Sequence, residues 1–485
     1  MVSEENRVPP PPEASPLSPA GDLRPFDSCR PAGDPAFYPP RVTPATRPLR
    51  FPFNLIKLVG DNLALIPAQA YREHVVIAPG RPRMAFFTGP EAVKTLLQSR
   101  RQEFPKGHLQ NMSLAPLMGR PMLSAEGDEW RWQRGVAAPL FGHEELMQYG
   151  PIMSAAAEAT VEKWRAAAPG TVHYIKRDML RGAFRVISNT MLEGGAEDAL
   201  AEIEKGHADY YKGANWWVLY SLLGLPQWLP RPGGRSMRAQ VRRVRQAIAR
   251  IVSERGSDDG KDTDLLGRMR AAVDPGSGRR MSEELLGDNI ISFLVAGYDT
   301  TAFSLAWTLY LISQSPQWEA RILEEVRAVV GSGPVTSAHY RSLVVTQQVY
   351  NESLRLFPTA PIIVRDILQD GEIDGVFVPA GTIGLIPIYA IHRHQRYWSD
   401  PDRFDPERFS AANPIKPTRY QFLPFGAGPR TCIGAAFATL EATIMLATFI
   451  RAAHLEGVPN FHPRPIARMF LFPKHELPMR VTMRG

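Results

Sequence analysis

Ten residues near the end of the chain, Phe425-Gly426-Ala427-Gly428-Pro429-Arg430-Thr431-Cys432-Ile433-Gly434, restrict its fold more than any other segment. Gly426, Gly428 and Pro429 force a tight turn, and glycine lets a backbone come close to a flat partner. A helical pattern over 433–452 starts directly after Cys432. Backbone N–H groups and the positive end of that helix favour the thiolate form of a cysteine placed there. A lone cysteine is most often a structural core residue, but a core residue has no need of this frame of glycines and arginine. The loop reads as a holder for a thiolate that binds iron.

The second constraint is a helical pattern over 282–313. Ser282 can cap it, Glu283 and Glu284 suit its positive end, and Leu285, Ile290, Phe293 and Leu294 supply an apolar face. At about 1.5 Å per residue it reaches nearly 50 Å, enough to cross a domain. Within it stands Ala296-Gly297-Tyr298-Asp299-Thr300-Thr301. Glycine at mid-helix costs roughly 1 kcal/mol relative to alanine, and close approach of a bulky cofactor at Gly297 would offset that. The Thr300 hydroxyl can return to the carbonyl four residues back, that of Ala296, and open the helix locally.

Thirteen of the 45 prolines fall in the first 50 residues, so residues 1–50 are expected to form a poorly ordered arm, and 51–485 a single domain. Helices are expected at 128–139, 145–166, 177–193, 197–212, 235–255, 282–313, 316–330, 345–356 and 433–452. Short strands are expected at 74–77, 84–88, 361–365, 374–378 and 467–472. The fold class is mainly α with small β-sheets. Two cysteines, Cys29 and Cys432, cannot build a disulfide framework, so a reducing cytoplasm is expected. The net charge of +7 favours acidic partners. No long Lys/Arg block and no zinc-ligand spacing point to nucleic acid. The apolar stretch 433–450 is interrupted by Thr439, Glu441 and Thr443, which makes it a buried helix and not a membrane span.

The F-G-x-G-x-R-x-C-x-G frame and the A-G-x-D-T run together resemble the haem-thiolate monooxygenases, the cytochrome P450 family, and the resemblance extends over almost the whole globular part. It implies haem b seated between the long central helix and the helix after the cysteine loop, with Cys432 as the iron ligand and O2 as co-substrate. Gly426, Gly434, Ala296 and Gly297 would lie against the haem, and Phe425 beside the thiolate. Arg430, the i,i+4 pair Trp130 and Arg134, and Arg365 at the end of a strand would hold its propionates. Thr300 would donate a hydrogen bond to bound O2 while Asp299 helps relay protons. Glu352 and Arg355, at i,i+3, would join Arg408 in a structural triad that holds the cysteine loop. The substrate pocket would draw on the loop near Met112–Met122, on Phe293, on Ile362, Ile363 and Val364, and on the turn at Phe470 and Leu471. The aromatic stretch 215–229 would cover the entrance or pack as ordinary helix.

These residues are mostly apolar, which suits an apolar small molecule without naming it. The chain runs 53 residues past Cys432 with no flavin or nicotinamide fingerprint and no iron–sulfur cysteine set. Electrons are therefore expected from a ferredoxin or flavodoxin-type donor with its reductase. Two other readings stay open: peroxide-driven haem-thiolate oxidation, and haem binding without turnover.

Overall fold

The computed structural model describes residues 36–46, 59–80, 82–192, 210, 213–226, 228–254, 264–274 and 276–485. Cys29, the loop 256–263 and all of the expected helix 197–212 but Tyr210 lie outside them. Residues 36–46, inside the expected loose arm, are packed on the domain. Phe37 sits edge-on to Tyr310 at 6.3 Å and to Phe404 at 6.5 Å, and Ala45 bridges Pro67. One partly buried aromatic anchor, Phe37, holds this segment against the domain despite the extended bias of the neighbouring prolines.

The long helix spans Glu283–Ser313, and the Ser282 side chain accepts a hydrogen bond from the Leu285 N–H. Its neighbours include the helices Ile175–Leu192, Val344–Leu356 and Ala435–Ala452. Near its C-terminal end Trp307 stacks on Phe357 with ring centroids 3.9 Å apart. Two helices, Glu283–Ser313 and Ala435–Ala452, are long and apolar enough to cross a membrane. Their apolar windows are 83% and 67% buried inside the protein, as core helices require. Most other expected helices form within a few residues of their predicted limits, including Gly127–Ala137, Gly234–Glu254 and Pro316–Val330. The expected helix 145–166 is split into His143–Gln148 and Gly150–Arg165.

The region around Met112 differs from the expected loop: it is a helix, His108–Met118, with Pro116 inside it. It carries no clean apolar stripe, so periodicity could not reveal it.

The strands are β1 (Val75–Ala78), β2 (Met84–Phe87), β3 (Val172–Tyr174), β4 (Ile363–Asp366), β5 (Gly371–Ile373), β6 (Val376–Val378), β7 (Ile383–Ile386), β8 (Ala453–Gly457), β9 (Pro465–Ala467), β10 (Leu471–Pro473) and β11 (Pro478–Met483). One sheet has the order β1-β2-β7-β4, with β2 and β7 parallel. A second has the order β3-β11-β8, and β5–β6 and β9–β10 are antiparallel pairs. The loop at Lys106 bridges Arg365 in β4, which draws a segment remote in sequence onto that strand.

The triad expected from Glu352, Arg355 and Arg408 is present and fully buried. Arg355 grips Glu352 through two bonds, Nε to Oε2 at 2.6 Å and Nη2 to Oε1 at 2.7 Å, while Arg408 Nε lies 3.5 Å from Oε1. Remaining Arg355 donors go to the carbonyls of His392, Pro401 and Arg403. His392 completes the link to the cysteine loop: the Leu423 N–H donates to its Nε2 at 3.0 Å, and its Nδ1 faces the Arg355 carbonyl at 3.2 Å. Burial and two nearby arginines push its pKa down to about 3. The ring is therefore neutral, with the proton on Nδ1. Replacing Glu352 by Ala strands two buried guanidinium groups and should cost on the order of 3–5 kcal/mol, read as a lowered midpoint in denaturant unfolding.

Candidate active site

The cysteine loop turns on two residues with left-handed backbone, Gly426 (φ 73°) and Gly428 (φ 74°). Gly428 is the tighter of the two, because a Cβ there would lie 2.1 Å from the Leu97 carbonyl oxygen. The Gly426 N–H donates to the Leu423 carbonyl and the Cys432 N–H to the Phe425 carbonyl, both at 2.9 Å. Phe425 is thereby fixed across the turn from Cys432.

The Cys432 side chain is accessible, yet protein surrounds it deeply enough to desolvate a charge. This corrects the expectation of a lowered thiol pKa. Burial raises it, and the Gly434 amide and the Arg134 guanidinium pull it down only in part. Such a thiol is a poor free nucleophile, and its thiolate needs a further positive charge, which a bound metal ion supplies.

The long helix offers a single window. From Asp288 to Ile312 every residue is buried except Ala296, Gly297 and Thr300. The Thr300 hydroxyl donates to the Ala296 carbonyl at 2.6 Å, as its spacing predicts. One residue on, Thr301 hydrogen-bonds Glu441 of the helix Ala435–Ala452. That contact pins the helix following Cys432 across the long helix beside the window. Burial raises the Glu441 carboxyl well above the usual carboxylate range. Asp299 is 1% exposed, sealed from bulk water on its own side of the helix.

Gly297 has a different reason to be glycine from the expected one. A Cβ there would meet Ile187 Cδ1 at 2.9 Å, so the residue lets the helix Ile175–Leu192 pack closely. Gly434 behaves oppositely: a Cβ would meet no protein atom within 4 Å, which leaves space above the loop for a flat group.

Beside the loop lies an excess of cations. Arg430 donates to the Ala125 carbonyl at 2.9 Å and to Glu126 at 2.5 Å, and its guanidinium lies 4.5 Å over the Trp130 ring. Arg365 is buried, and desolvation together with Arg430 lowers its pKa to about 10. Lys106, which no motif marks, joins them. Burial, then Arg430 and Arg365, lower its pKa to about 7, and its ammonium donates to the Leu123 carbonyl. Three cations thus converge on one carboxylate, Glu126, with Arg134 near the sulfur. The set fits an iron porphyrin: a thiol for the metal, room over Gly434 for the ring, and surplus positive charge for two carboxylates.

Among the residues expected around a substrate, Ile362, Ile363, Val364, Met112 and Phe470 are partly accessible. Phe293 is buried and edge-on to Phe141 at 5.7 Å, one turn before Ala296. Leu471 departs from expectation. It is fully buried in β10, with its N–H on the Thr359 carbonyl at 3.0 Å, and belongs to the core and not to an open pocket. In the aromatic stretch, Trp217 lies under Arg231 and Trp216 packs on Tyr220, whereas Trp228 is 80% exposed.

Because Gly428 combines left-handed backbone with contact to the Leu97 carbonyl, Gly428→Ala should yield folded protein that retains little haem, measured as the ratio of haem to protein absorbance. Gly434→Ala, with free space above it, should keep the loop's own structure.

Comparison with known proteins shows the family and the fold. A profile of the family described as Cytochrome P450 matches residues 44–483. Cyclooctatin synthase of Streptomyces melanosporofaciens is 31% identical, the match covering 79% of this chain and 83% of that protein. Pentalenene oxygenase of Streptomyces avermitilis is 29% identical over 81% of this chain and 87% of its own length. The crystal structure of the cytochrome P450DA heme domain superposes with a TM-score of 0.77 at 24% identity, covering 91% of this chain and 98% of that one.

Proposed function

The chain belongs to the cytochrome P450 family and is a haem-dependent monooxygenase that uses O2, and from that premise we propose that Cys432 ligates the haem iron and that the enzyme oxidises an apolar small molecule with electrons from a separate protein. The observation that carries the assignment of Cys432 is its accessible thiol at the start of the helix that Glu441 ties to Thr301, beside the Ala296–Thr300 window. Haem held by a thiolate, when bound, activates O2 so that one oxygen atom enters the substrate and the other leaves as water, taking up two electrons and two protons.

The residues of the chain divide the remaining work. Arg365, Arg430 and Lys106 neutralise the cofactor's carboxylates, assisted by Trp130 and Arg134, and fix its orientation. Phe425 and the loop backbone shield the sulfur. Thr300 holds a hydroxyl at the window, poised on the Ala296 carbonyl, and can turn that proton outward. Asp299, adjacent and buried, passes protons toward it. The half-buried aliphatic groups of Ile362, Ile363 and Val364, with Phe293 and Phe470, exclude water and favour an apolar guest. A relative named for pentalenene supports a hydrocarbon-rich substrate.

A ferredoxin or flavodoxin-type donor would dock on the cysteine face. Support comes from the net charge of +7 and from Arg419, which reaches Thr431 at 3.4 Å beside the loop. On the same proposal the enzyme works in a reducing cytoplasm, which is supported by its two cysteines, too few for a disulfide framework.

Thr300→Ala should keep O2 consumption while product formed per O2 falls by about tenfold or more, since positioned proton transfer contributes ~100-fold or more to rate. Oxygen-electrode and product measurements on one sample read this ratio, and unchanged coupling removes Thr300 from the proton path. Cys432→Ser should abolish the thiolate-type absorbance of the reduced carbon monoxide complex. Reduction by an acidic ferredoxin should slow as ionic strength rises, because the Debye length shrinks from about 10 Å at 0.1 M salt to about 3 Å at 1 M. Stopped-flow traces at several salt concentrations measure this directly.

A further inference from the structure

A second cleft, of about 1180 Å³, opens between the segment around Val42, the helix Ile175–Leu192 and the β9–β10 hairpin. Its floor is apolar, made by Leu180, Tyr298, Phe303 and Phe472, and Phe303 and Phe472 pack with centroids 5.3 Å apart. It borders the long helix through Tyr298 and Phe303, whereas the catalytic window is formed by Ala296, Gly297 and Thr300.

The walls carry seven cations and two acids. Both acids are already engaged. Asp61 accepts the N–H groups of Leu63 and Ala467, each at 3.1 Å, and Glu476 pairs with Lys176 at 3.3 Å. Arg41 pairs with Asp402. Among the described residues, Arg177, Arg464, Arg468 and Lys474 have no carboxylate at ion-pair distance. Arg177 lies over the Tyr174 ring at 5.4 Å. Arg468 is the sharpest case: its guanidinium stands 6.0 Å from the Phe472 ring centroid, and its buried Nε has no hydrogen-bond partner. A buried donor left unmade is costly, and like charges converging over an apolar wall focus a strong positive potential.

We propose that this cleft binds a phosphate-bearing amphiphile: a mono- or diphosphate head held by Arg464, Arg468 and Lys474, with a hydrocarbon tail laid on Phe303 and Phe472. Guanidinium forks match phosphate oxygens two at a time. Several unpaired cations suit a head of two or three negative charges better than a single carboxylate. A concave cleft with an apolar floor favours a small molecule over an acidic protein surface.

The test is calorimetric titration of the haem-loaded enzyme with octyl phosphate below its micellar concentration, with inorganic pyrophosphate, with octanol, and with phosphatidylglycerol vesicles. Octyl phosphate should bind saturably at one site, at least tenfold more tightly than pyrophosphate or octanol. Arg468→Gln combined with Lys474→Gln should weaken it at least tenfold without changing the haem spectrum. The single exposed variant Arg464→Gln, which disturbs no packing, should weaken it in the same direction. Binding that survives all these variants, or that shifts haem absorbance and so lies in the catalytic cleft, overturns the proposal. So does binding to vesicles alone, or equal affinity for pyrophosphate.

Discussion

One buried carboxylate, Glu352, sets the frame in which the cysteine loop stands. It accepts two bonds from Arg355, lies 3.5 Å from Arg408, and also takes the Asp405 N–H at 2.8 Å. Removing three charges from water is expensive, and the cost is offset by the bidentate grip on Glu352 and by the carbonyls that take the spare donors of Arg355. The arrangement yields position more than stability. Arg355 fixes the His392 carbonyl, the neutral His392 ring takes the Leu423 N–H, and Leu423 in turn accepts from Gly426. A chain of hydrogen bonds therefore runs from the helix Val344–Leu356 to the turn that presents Cys432.

The long helix supplies the facing wall by being closed nearly everywhere. Its packing against Ile187 demands Gly297, and its Thr301 meets the buried Glu441. Only three side-chain positions in its buried middle are left accessible. A site made this way places one hydroxyl, that of Thr300, in a surrounding of hydrocarbon, where its proton has few competing partners.

Much of this was legible in the chain alone, for identifiable reasons. Cys432, Thr300 and the Glu352–Arg355 pair stand in short local patterns, where spacing dictates contact. Ser282 and the acids after it announced the long helix correctly. Contacts made across hundreds of residues were not legible. Lys106 meets Arg365 only because an isolated bridge joins its loop to β4, and His392 meets Leu423 only in the folded core. The helix at Met112 lacked periodicity, and Leu471 and the Cys432 pKa were misjudged because burial cannot be read from local sequence.

The sheet β3-β11-β8 sets the timetable of folding. Its middle strand, Pro478–Met483, joins Val172–Tyr174 to Ala453–Gly457. During synthesis β3 emerges about 300 residues before β11, so until β11 is made its edge lacks that neighbour, and distant pairing of this kind is slow. Native closure of that layer must wait until β11 has been made, with the earlier helices standing as a partly assembled body until that strand slots between its partners.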